Sequence, residues 1–194
     1  TKRIGLVTMM TNGTPILMDE EILRRLRKAY WSNRSAPLGE LSINSNCMSI
    51  DVRAGKRDLS ALLAAIELIV TTNESWRSRF DSLARMVVPL KTIGRKVRQG
   101  RVGFSSKFAK GAIFLSIPRQ QEHTEIELSI NLAHEMGHQA LMIYQAADQI
   151  IAGDLAQPVY SGVRKTNRPA IQSFHAMIAL AFMVEYVSGR LENP

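Results

Sequence analysis

The chain has 194 residues, 45% apolar and 22% charged, which excludes wholesale disorder and leaves length for one well-buried core, so a single domain over 1–194 is expected. Its single cysteine, Cys47, excludes an intramolecular disulfide framework and fits a reducing, cytoplasmic setting, and the net charge is +8. The longest uninterrupted apolar run, Ala176 to Val184, is too short to span a bilayer, so no membrane segment is expected.

An apolar stretch from Ile4 to Met10 comes first. Thr14-Pro15 then opens a helix in which Asp19, Glu20 and Glu21 complement the N-terminal dipole and Arg24, Arg25, Arg27 and Lys28 follow. Residues 33–55, with Pro37, Gly39, Asn44 and Asn46, read as loop. Asp58 is placed to cap a helix through Val70, with Leu59, Leu62, Leu63, Ile66 and Ile69 on one face. Asn73 or Ser75 starts another helix, through Met86 and ended before Pro89.

From Ser82 to Gln121 no acidic residue occurs, while Arg85, Lys91, Arg95, Lys96, Arg98, Arg101, Lys107, Lys110 and Arg119 all fall there. Such a field either draws an anionic partner or is a solvated basic face. Nucleic acid is not expected, because zinc-finger spacing, an RNA-recognition motif and a platform of stacking aromatics are all missing. Val102–Ser106 and Ala112–Ile117 read as short strands joined by a turn at Gly111. The second of them is a candidate to pair with an extended peptide, if it lies at a sheet edge.

Thr124 with Glu127 offers a capping box for a helix over about 125–149. A loop over 153–167 follows, and Pro169 sits where a first-turn proline opens a last apolar helix to about Val187. The expected class is α+β, mostly α-helical, with two His-bearing helices beside a small antiparallel sheet. Residues 1–100 form a mainly helical part and 101–194 a metal-binding core.

That core rests on His134-Glu135-Met136-Gly137-His138. Positions i and i+4 of a helix share a face, so two imidazoles reach one ion. With four His and eleven Glu in the chain, an accidental HExxH is expected roughly once per two hundred chains of this composition. Glu135 lies about 100° round the helix from His134, within reach of a metal-bound water. A third ligand must come from elsewhere, and His175, Glu185, Asp148 and Asp154 are the candidates. His175 is favoured, since it lies in an apolar helix that packs beside the first, whereas His123 is expected to be exposed. Arg164 and Arg168 stand just upstream of His175, and arginine grips carboxylates bidentately.

Gly111-Ala112-Ile113-Phe114-Leu115, then Leu132-Ala133-His134-Glu135-Met136-Gly137-His138, then Pro158-Val159-Tyr160-Ser161 to Val163-Arg164, Arg168-Pro169 and Phe174-His175-Ala176 come in a fixed order. Over about 104–190 this set resembles the HExxH-type 2-oxoglutarate- and iron(II)-dependent peptide β-hydroxylases. The resemblance implies Fe(II) held by His134, His138 and His175, with 2-oxoglutarate chelating the metal and Arg164 or Arg168 pairing with one of its carboxylates. It implies an oxidoreductase using O2 on an amino-acid side chain, within a peptide or as a free amino acid, with Glu135 orienting a ligand or water. The alternative is a zinc metallopeptidase with Glu135 as general base. A basic binding module with a structural metal is a third reading, against which the single cysteine argues.

Overall fold

Leu62, Ala65, Ile66, Ile69 and Val70 recur at three- and four-residue intervals, and in the computed structural model of the chain they form the buried stripe of helix α1, Leu59–Thr72. The structure describes residues 10–11, 14–15, 48–50, 59–92, 103–106, 110–116, 123–162 and 164–193. Thr14 and Pro15, expected to open a helix, instead pair as a short strand with Met10 and Thr11, and the rest of that expected helix, the apolar stretch before Met10, the Asp58 cap and much of the basic stretch lie outside these residues.

Asn73, rather than Ser75, caps helix α2, Glu74–Leu83, its side chain accepting from Trp76 N at 3.0 Å. Helix α2 turns Trp76, Phe80 and Leu83 inward. Full burial of each large side chain contributes about 2–3 kcal/mol. The helix ends before Met86, and Met86–Thr92 is a strand, β4 after the short strands β1 (Met10–Thr11), β2 (Thr14–Pro15) and β3 (Met48–Ile50). That corrects the helix expected through Met86. Consecutive Val87 and Val88 are both fully buried, as in a strand covered on two faces, and Pro89 faces Leu115 within the sheet instead of stopping a helix. The expected loop over 33–55 likewise contains β3, antiparallel to β4.

Strands β5 (Gly103–Ser105) and β6 (Ala112–Ser116) form the antiparallel pair expected around Gly111. The sheet runs β3-β4-β6-β5 and is mixed, because β4 and β6 pair in parallel. Strand β6 is therefore flanked on both sides and has no edge for an added peptide. The fold is α+β and mostly helical.

Helix α3, Thr124–Ala147, lies across this sheet. It begins at Thr124 itself, with His123 as N-cap in the left-handed conformation (φ 63°) and no side-chain cap, so Thr124 is not the capping residue expected. The stretch read as loop folds into a hairpin of β7 (Pro158–Ser161) and β8 (Thr166–Pro169). Carbonyls of Leu155 and Gln157 accept from Ile171 and Ala170, satisfying the first free N–H groups of helix α4, Ala170–Glu192, for which Pro169 is the N-cap.

Leu62, Ile66, Trp76, Phe80, Val87, Ile113, Leu132, Met136 and Tyr186 join both pairs of helices and the sheet in one core. Helix α4 meets α2 through edge-on contacts of Trp76 with Phe182 and Tyr186, and Arg79 closes the seam over Trp76 with an ion pair to Glu185 at 2.7 Å. By length and composition α4 is apolar enough to cross a membrane, which the run of Ala176 to Val184 alone did not indicate; Met177, Leu180, Val184, Val187 and Leu191 line its exposed side.

Candidate metal centre

Helix α3 carries two polar pairs at i and i+4, His134/His138 and Glu135/Gln139, on faces about 100° apart. The first looks toward α4 and the second toward the sheet. Gly137 lets α4 come close. A Cβ there would stand 2.9 Å from Ala179 Cα and 3.2 Å from Ile178 O, both backbone atoms that cannot rotate away. This crossing, one turn from His175 along α4, brings the three histidines together.

His134 Nε2 and His138 Nε2 are 3.2 Å apart, and His138 Nδ1 is 3.3 Å from His175 Nδ1. Two nitrogens about 2.1 Å from one tetrahedral ion lie roughly 3.4 Å from each other, so these are ligand-like separations. As placed, no three His, Cys, Asp or Glu donors among the described residues converge on one point. His138 offers a different nitrogen to each neighbour, Nε2 to His134 and Nδ1 to His175.

The chemistry of the donors fits a cation. Four short contacts run along the series Met183–His134–His138–His175–Gln145, with Met183 Sδ 3.3 Å from His134 Nδ1 and Gln145 Oε1 3.2 Å from His175 Nε2. Three neutral imidazoles own three ring protons. Thioether sulfur and amide oxygen are acceptors, so the outer contacts take the protons of His134 and His175. His138 then has one proton for two ring contacts, and one pair of lone pairs faces each other bare. With the Gln145 oxygen facing His175, a bound cation relieves that conflict.

Burial keeps the rings neutral. It pushes His138 down to about 3, helped by the adjacent His134 and His175. His134 is lowered by burial and then by the charge of Arg164, and His175 by burial. Neutral imidazole is the ligating form.

Arg164 sits in the turn between β7 and β8, its N–H donating to Ser161 O, and its charge is felt at His134. No carboxylate among the described residues pairs with it. Arg168 faces Val159 across the hairpin and donates to Gln172 Oε1 at 2.9 Å on the exposed side of α4. Asp148 and Asp154 are exposed at the end of α3 and in the following loop, His123 is exposed, and Glu185 is held by Arg79. Of the third-ligand candidates, the structure brings only His175 to the pair.

Glu135 turns away from the imidazoles toward the sheet. It is buried, its Oε2 accepts from Ser105 Oγ at 2.9 Å, and a Cβ on Gly103 would stand 2.8 Å from its Oε1. Burial pushes its carboxyl up to about 8, against the weaker opposing effect of the Ser105 hydrogen bond. Gln139, fully buried, accepts from Gly111 N and donates to Ala112 O, both at 2.9 Å. Sequence reasoning missed Ser105, Gln139, Gln145 and Met183. Only the last two had a signal, since Gln145 continues the His134/His138 stripe and Met183 lies two turns beyond His175.

Comparison with known proteins adds no relative: no family model matches the chain, and no curated protein matches it significantly.

Proposed function

We propose that the protein is an iron(II)- and 2-oxoglutarate-dependent hydroxylase acting on an amino-acid side chain within a peptide. The observation that carries this reading is the meeting of three neutral imidazoles from two helices near Arg164, whose charge is felt at His134. His134, His138 and His175 would hold the metal, which with 2-oxoglutarate and O2 supplies the oxidising chemistry for hydroxylating a C–H bond.

An all-imidazole set leaves the full double charge of the ion uncompensated, which suits a dianionic oxoacid. Arg164 anchors the far carboxylate of that co-substrate, and its guanidinium supplies a two-pronged grip. Arg168, engaged with Gln172, plays a smaller part. The neutral, sheet-facing Glu135 is a positioning residue that holds α3 to β5. A zinc peptidase needs that carboxylate at the metal-bound water, and the Ser105 contact argues against it.

The test is anaerobic reconstitution with iron(II), then titration with 2-oxoglutarate while recording the visible spectrum. A metal-to-ligand charge-transfer band is expected, and Arg164→Ala is expected to raise the half-saturating 2-oxoglutarate concentration by about tenfold or more, leaving iron content unchanged. No band, together with tight zinc binding and peptide cleavage, sinks the hydroxylase reading.

A further inference from the structure

Resting on that metal reading, we infer that Gln145 selects which nitrogen of His175 meets the metal, and that this nitrogen is Nδ1. The side-chain oxygen of Gln145 lies 3.2 Å from His175 Nε2, so it accepts the ring proton there and leaves the Nδ1 lone pair directed at the ring of His138, 3.3 Å away. His134 is set the opposite way. Its Nδ1 faces the Met183 sulfur at 3.3 Å, so it presents Nε2. The centre is therefore built from unlike nitrogens: Nε2 of His134 from one helix and Nδ1 of His175 from the other.

The amide of Gln145 has a second orientation with a different consequence. Turned over, its NH2 donates to His175 Nε2 and the ring proton must move to Nδ1. That supplies the fourth proton missing from the series Met183–His134–His138–His175–Gln145 and satisfies every contact without an ion. Gln145 is thus a positioning residue whose carbonyl orientation matches the loaded centre and whose amide orientation matches the empty one. A partner on the second nitrogen commonly fixes the tautomer of a ligating histidine, and its loss costs about 10–100-fold in metal affinity.

The experiment uses the whole chain with zinc alone as a diamagnetic probe. Long-range proton–nitrogen NMR spectra of 15N-histidine-labelled protein, with and without zinc, report which ring nitrogen of each histidine is protonated and which is bound. Expected are a bound Nδ1 and a protonated Nε2 for His175, and the reverse for His134. In parallel, Gln145→Ala is expected to weaken zinc binding about 10–100-fold, and Gln145→Glu, an acceptor only, to hold it within about threefold of the parent. Zinc bound through His175 Nε2, or Gln145→Ala matching the parent, overturns this inference and leaves the metal centre standing. Silence of all three histidines on adding zinc overturns the metal reading and this inference with it.

Discussion

The two polar faces of helix α3 have the same spacing and opposite construction. Toward the sheet, each polar group meets its complement: Gln139 bridges Gly111 N and Ala112 O, and Glu135 meets the hydroxyl of Ser105. Toward α4, like meets like, with imidazole nitrogens against imidazole nitrogens and, with the Gln145 oxygen on His175, one proton too few. A satisfied buried network fixes a structure, whereas an unsatisfied one stores a preference for something that completes it. The sheet face holds the helix, and under the proposed function the α4 face binds the metal.

The contrast breaks most sharply with one substitution on each face. His138→Ala removes the ring shared by both contacts, and metal content is expected to fall at least 100-fold by elemental analysis. The unfolding free energy of the metal-free protein should fall by only about 1–2 kcal/mol, the packing and contacts of one ring. Gln139→Leu does the reverse. It orphans the buried Gly111 N–H and Ala112 carbonyl, so about 2–4 kcal/mol of stability should be lost in urea unfolding. Equal metal loss in the two variants, each measured under conditions where it is folded, would erase the distinction between the faces.

Gly137→Ala couples the two effects at intermediate size. The added methyl presses on Ala179 Cα, so α4 must shift outward and take His175 with it. A stability loss of about 1–3 kcal/mol is expected, with metal binding weakened about tenfold, because His134 and His138 stay on one helix while the third ligand moves. A variant that loses stability yet binds metal as the parent does would show that His175 is not a ligand.

How much of this was legible in the sequence follows the range of the interactions. His134 and His138 share a face by local periodicity alone, and His175 was the natural third residue because its helix is apolar enough to lie beside the first. The cap at Asn73, the strands around Gly111 and the mostly helical class were also local. What escaped reading was set by partners far along the chain. Pro89 stands in β4 because β6 accepts Val87 and Val88 on a buried sheet, and the hairpin over Pro158–Pro169 uses as turns and caps the residues that read as loop. Helical geometry fixed the angle of Glu135 from His134 but not what waited there. Gly103 and Ser105, about thirty residues earlier, make the pocket that receives it.

The smallest expected effect sharpens the comparison from the sheet side. Glu135→Gln keeps the size of the side chain and an oxygen for Ser105 Oγ, and it resembles the neutral acid that burial favours. Stability and metal content should stay within about 1 kcal/mol and about threefold of the parent, and under the proposed function hydroxylation is retained. Complete loss of activity with metal still bound would place the Glu135 carboxylate at the reacting centre during turnover. The α4 face would then include a group that the resting structure assigns to the sheet, and the general-base reading would return.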